Sequence, residues 1–127
     1  MSKVLLVDDS GMARRSTRRI LEEEGYDVVE AEDGMSALER YFVEKPDVVM
    51  LDLVMKGMYG LDVLEKLREM DTDARVVVAS ADIQSSTRRM VEEGGARAFI
   101  NKPFVAEQVL AAVNLVLAEG GPGVDTN

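Results

Sequence analysis

Short apolar runs alternate along this chain with longer segments in which apolar residues recur at three- and four-residue intervals. The runs Val4-Leu5-Leu6-Val7, Val48-Val49-Met50-Leu51 and Val76-Val77-Val78 read as short strands, the middle one buried on both faces. Strands are predicted over Lys3–Val7, Tyr26–Ala31, Asp47–Leu51, Arg75–Ala79 and Ala98–Ile100. Helices are predicted over Met12–Glu24, Met35–Glu44, Leu61–Met70, Ser85–Glu93 and Val105–Ala118. The first helix should turn Ala13, Thr17, Ile20 and Leu21 inward, and the second Leu38, Tyr41 and Phe42. Leu61, Leu64 and Leu67 serve the third helix, and Val109, Leu110, Val113, Val116 and Leu117 the last. Gly25 and Gly94-Gly95 act as helix stops, and Pro46 keeps any helix from running into the third strand. Core filling is the expected role of most of Met35, Met50, Met55, Met58, Met70 and Met90. One domain is expected over residues 1–119, followed by a disordered tail over 120–127 that opens with Gly120-Gly121-Pro122-Gly123.

Regular alternation with short connections implies a parallel sheet, right-handed crossovers and helices on both faces: an α/β, doubly wound fold. Parallel strands put all their carboxyl ends on one edge, which is where such sheets bind ligands. Asp8 and Asp9 follow the first strand, Asp52 the third, Ser80 the fourth and Lys102 the fifth. Singly, each has an ordinary structural explanation, as turn former, helix cap or solvated lysine. Their repetition at one topological position argues for a site.

Composition narrows the chemistry. The 127 residues contain no Cys and no His, so thiolate or imidazole metal sites, a Cys nucleophile and phosphohistidine are excluded. Carboxylate, hydroxyl and ammonium remain. The net charge of -9 disfavours nucleic acid and anionic membrane surfaces as partners. No apolar run is long enough to cross a membrane, and the first residues lack the features of a signal peptide, so a cytoplasmic location is expected. Clustered carboxylates repel one another, and all-oxygen ligands favour a hard divalent cation, Mg²⁺. Lys102 would neutralise phosphate charge and keep Asp52 ionised, and Ser80 would donate to a phosphoryl oxygen. A carboxylate can itself attack phosphorus. The residues therefore point to Mg²⁺-dependent phosphoryl transfer onto Asp52, with positioning and charge neutralisation as the catalysis.

Val4-Leu5-Leu6-Val7-Asp8-Asp9, Asp52-Leu53-Val54-Met55 with Gly60, Ser80-Ala81 and Lys102-Pro103-Phe104 resemble the receiver domain of two-component response regulators, its stand-alone chemotaxis-type group in particular. The resemblance implies a flavodoxin-like, five-stranded parallel sheet of order 2-1-3-4-5. It implies Asp52 as the phosphorylated aspartate, Asp9 as a direct Mg²⁺ ligand, Asp8 as one acting mainly through water, and the Val54 carbonyl as the main-chain ligand. Lys102 corresponds to the phosphate-binding lysine, with a cis bond into Pro103, and Ser80 to the hydroxyl that swings toward the phosphoryl group. Phe99 falls at the aromatic switch position, and Val54 and Asp82 fall where side chains tune the dephosphorylation rate. The chain departs from the family in three places: Lys56 replaces a usual Pro, Val54 is apolar where a polar residue is common, and Phe99 lacks a hydroxyl.

The implied partners are a sensor histidine kinase or phosphotransfer domain and a downstream protein target, such as a motor switch. Arg14, Arg15, Arg18 and Arg19 on the first helix read first as a solvated face and second as a kinase-docking surface. The implied output face, helix four–strand five–helix five, would carry Arg88, Arg89, Phe99 and Gln108. No effector domain follows Glu119 in this sequence, so output by binding a target is expected, with a phosphorelay intermediate or phosphate sink as the alternative. An aspartyl-nucleophile phosphohydrolase fits less well, because it would usually carry a second Asp at the Val54 position and a cap domain. A flavodoxin-type cofactor binder would need a Ser-, Thr- or Gly-rich loop where Asp8-Asp9 stand.

Overall fold

Five strands and five helices alternate: β1 (Lys3–Val7), α1 (Gly11–Glu23), β2 (Asp27–Ala31), α2 (Gly34–Glu44), β3 (Val48–Asp52), α3 (Gly60–Met70), β4 (Val76–Ser80), α4 (Ser85–Glu93), β5 (Ala98–Asn101) and α5 (Ala106–Ala118). The structure, a computed structural model, describes residues 2–55, 59–81, 85–103 and 105–118, the side chains of Ser85 and Ser86 excepted. Lys56, Met58, Asp82, Phe104 and the expected tail lie outside the described residues.

All strand pairs are parallel, in the order β2-β1-β3-β4-β5. Alternation of side chains splits the interior in two. Leu5, Val7, Val49, Leu51, Val76 and Val78 face α2, α3 and α4. Val4, Leu6, Val48, Met50, Val77 and Ala79 face α1 and α5. β3 and β4 are buried along their whole length, as strands covered by helices on both faces must be.

Local chemistry sets the helix starts. The Ser10 hydroxyl caps α1 by accepting from the Ala13 N–H at 3.1 Å. Asp33 and Ser36 form a reciprocal capping box on α2. Gly25, at φ 95°, takes the left-handed conformation after α1 that a side chain would resist.

Three sequence expectations change, the last being that most of the methionines fill the core. Asp52 and Ser80 are the last residues of β3 and β4 rather than the first beyond them, because the ladder pairs Asp52 with Ala79 and Ser80 with Asn101. Phe42 is 74% exposed, not inward. The inner face of α2 runs through Ala37 and Tyr41, one turn apart, and Tyr41 anchors it by donating to Asp71 Oδ2 at 2.7 Å. Among the methionines, Met50 is buried and Met55 packs against the core, but Met35, Met70 and Met90 are exposed.

Candidate functional site

The carboxyl ends of β1, β3 and β5 bring the predicted residues together. Asp52 continues the β3 row of Val48 and Met50, so its side chain enters the α1 side of the sheet edge. It is 8% exposed. Its Oδ1 accepts from the Val54 N–H at 3.3 Å, and its Oδ2 lies 3.4 Å from Lys102 Nζ. Asp8 is held at every polar atom: its N–H donates to the Ala31 carbonyl at 3.1 Å, and Oδ1 accepts from the Ser10 N–H at 2.9 Å. Oδ2 accepts from Lys102 at 2.8 Å, and the carbonyl from Arg14 at 2.5 Å. Asp9 is exposed and completes the cluster: Asp8, Asp9 and Asp52 each place a carboxylate oxygen within 4.8 Å of the others. Ser80 is fully buried at the end of the neighbouring strand, and its carbonyl accepts from the Lys102 N–H at 2.9 Å. The Lys102–Pro103 peptide is cis, as the resemblance implied.

Burial lifts the Asp52 carboxyl above its usual range; the Asp8 charge adds to this, while Lys102 and the Val54 N–H pull the other way. Burial alone would lower Lys102, but its hydrogen bond to Asp8 and the charges of Asp52 and Asp8 prevail and raise it. The ammonium is therefore fixed in its charged form, facing a cluster of carboxylates that outnumbers it. The donors are all oxygens and partly open to solvent, which suits a hard divalent cation that keeps some of its waters. A cavity of about 20 Å³, room for a single water, lies beneath, lined by Asp8, Asp52 and Lys102 with Ala13, Arg14 and Thr17 of α1.

Val54 is 63% exposed beside the site. Phe99 is half-buried, packs against the α2–α3–α4 core and carries the Arg88 guanidinium 5.4 Å from its ring centroid. Asp82 lies outside the described residues. The first-helix arginines divide: Arg15 and Arg19 are exposed, whereas Arg14 and Arg18 bend back onto Glu30 of β2. Arg14 and Glu30 were not singled out as site residues from sequence. Their partnership spans separate elements and leaves no local spacing signal.

This chain belongs to the response regulator receiver domain family, whose model matches residues 4–114. Members of this family are signalling proteins rather than enzymes in the ordinary sense. The chain is 39% identical over 116 residues to the chemotaxis protein CheY of Bacillus subtilis, covering 91% of this chain and 97% of that protein. The CheY-like receiver domain protein from Methanospirillum hungatei superposes with a TM-score of 0.89 at 26% identity, covering 94% of this chain and 95% of that one. A CheX–CheY–BeF3–Mg²⁺ complex from Borrelia burgdorferi gives a TM-score of 0.87 at 33% identity, covering 91% of this chain and 88% of that one. The flavodoxin-like fold and the two-component signalling class follow from these likenesses and the strand order together. No described helix is long and apolar enough to cross a membrane.

Proposed function

We propose that residues 1–119 act as a single-domain response regulator that accepts a phosphoryl group on Asp52 from a histidine kinase, a phosphotransfer domain or a small phosphodonor. The observation that carries this reading is the meeting of three carboxylates within 4.8 Å, with the Lys102 ammonium 2.8 Å from Asp8 and 3.4 Å from Asp52. Asp8, Asp9, Asp52 and the Val54 carbonyl would hold Mg²⁺, which when bound supplies charge neutralisation to the phosphoryl oxygens. An Asp52 carboxylate oxygen bonds to phosphorus as the donor's P–N or P–O bond breaks, and the electron pair leaves with the donor group. Lys102 orients Asp52 and neutralises the charge carried in. Ser80 donates to a phosphoryl oxygen, drawing the end of β4 inward, and Phe99 follows by repacking, which biases an existing equilibrium at the α4–β5–α5 face. Val54 and Asp82 set the lifetime of the phosphoryl group. Likeness to chemotaxis CheY proteins favours a protein target in chemotaxis-type signalling.

Acetyl phosphate with Mg²⁺, read by intact mass, tests the reading. Wild type should gain one phosphoryl group and Asp52→Asn none. An equal gain in both, or none in either, refutes it. Coupling is tested with beryllofluoride and Mg²⁺: amide shifts around Phe99 should move, and their constancy would remove the switch.

A further inference from the structure

The Arg14 side chain is only 15% exposed and spans two elements. Its Nε donates to Glu30 Oε1 at 2.7 Å, and one terminal nitrogen donates to the Asp8 carbonyl at 2.5 Å. The other Glu30 oxygen accepts from Arg18 at 2.6 Å, and Arg18 is itself tied to Glu22 at 2.9 Å. Glu30 is thus gripped from both sides, and its pKa is lowered chiefly by Arg18, with Arg14 assisting against the opposing effect of burial. A fixed carboxylate on β2 holds a planar fork whose other prong holds the main chain between the two acidic residues of the site. The Asp8 carbonyl belongs to the peptide that leads into Asp9, so its direction sets where the Asp9 carboxylate begins.

We propose that Arg14, seated on Glu30, is a positioning residue for the cation site: it aims the Asp8–Asp9 peptide so that both carboxylates converge with Asp52. This rests on the Mg²⁺ reading above but concerns a residue outside the ligand set. Charge and geometry make opposite demands on it. As a nearby cation Arg14 repels Mg²⁺, so removing its charge should tighten binding if charge alone matters. If it positions ligands, removing it should weaken binding, because residues that orient metal ligands typically change affinity by about tenfold or more. Lysine separates the two effects further, since it keeps the charge but lacks the planar fork that reaches Glu30 and the Asp8 carbonyl together.

Mg²⁺ affinity of the unphosphorylated full chain, measured by titration calorimetry on wild type, Arg14→Met and Arg14→Lys, decides the matter, with thermal melts confirming that each is folded at the working temperature. Both variants should raise the Mg²⁺ Kd by about tenfold, with lysine giving no rescue. If Arg14→Met does not fold, Arg14→Lys carries the test alone. A Kd that falls in Arg14→Met, or stays at the wild-type value in Arg14→Lys, overturns the positioning role and leaves the metal reading standing. A wild type that binds no Mg²⁺ overturns both.

Discussion

Gly60 and Gly11 occupy the same place, the first residue of a helix, and general propensity treats them alike. Alanine in a helix is favoured over glycine by about 0.5–1 kcal/mol, so both substitutions should stabilise. The structure separates them. A Cβ on Gly11 would meet only the ends of the Arg14 and Arg15 side chains, at 3.6 and 3.7 Å, which is ordinary contact. On Gly60 it would lie 2.5 Å from Leu53 Cα and 2.8 Å from the carbonyl oxygens of Asp52 and Leu53. All three are main-chain atoms at the end of β3 and just beyond it, so no rotamer change relieves the overlap. α3 must shift away from β3, straining the 2.9 Å Gly60 N–H to Leu53 carbonyl bond. Overpacking of this kind costs about 1–3 kcal/mol, which outweighs the propensity gain. Net of that gain the cost is about 0.5–2 kcal/mol, and with about 3–5 °C per kcal/mol for a chain of this size Gly60→Ala should melt about 2–10 °C below wild type. Gly11→Ala should melt at or a few degrees above it. Thermal unfolding followed by circular dichroism, with urea titration as a second measure, gives both numbers. A Gly60→Ala protein as stable as Gly11→Ala would show that the close approach of α3 to β3 is not a constraint, and the steric reasoning would fail.

Four further outcomes follow from the charge arrangement. Glu30 has a lowered pKa, so the stability it supplies is complete above its ordinary value of 4.5 and is lost as pH falls through the folded value; unfolding curves of wild type and Glu30→Gln should differ at pH 7 and converge in acid. Asp52 has a raised pKa, so its ionised form opposes folding above the ordinary 3.8; Asp52→Asn should be the more stable protein at pH 7 without divalent cations, an advantage that shrinks as pH drops toward that value, and equal melting at both pH values would contradict it. Lys102→Met should destabilise the metal-free protein by about 2 kcal/mol, having left partly buried carboxylates without their cation, yet bind Mg²⁺ about threefold to tenfold more tightly; weaker binding would mean that Lys102 orders the ligands rather than competing for them. Reversing the exposed pair with Arg15→Glu and Arg19→Glu should slow phosphoryl transfer from a kinase while leaving acetyl phosphate unaffected, and equal effects on both donors would remove the docking role.

The strands and the sheet edge were legible because fully buried parallel strands leave a strong mark, an apolar run ending in a polar residue. Val48–Asp52 and Val76–Ser80 show it, and topology alone then gathers Asp8, Asp52 and Lys102. Strand order and the cis bond into Pro103 rested on resemblance, since neither leaves a periodic trace. Phe42 misled because adjacent apolar residues on a helix diverge by about 100°, and Tyr41 took the inward seat. The α1 arginines were counted as one surface. Whether an arginine turns outward or back depends on Glu30, which the fold brings close through the pairing of β2 with β1.

The division of the interior into two clusters also gives synthesis an order. Among the described residues, the fully buried members of the cluster under α2, α3 and α4 reach no further along the chain than Val91, so most of it can close before α5 has left the ribosome. The other cluster includes Val4, Leu6 and Leu21 but is roofed by Val109, Val113 and Val116 of α5, which also packs on α1. The β1 and α1 residues on that face therefore remain uncovered until those of α5 arrive. A nascent chain halted before α5 would display an apolar sheet face, and that is the species a ribosome-associated chaperone would meet.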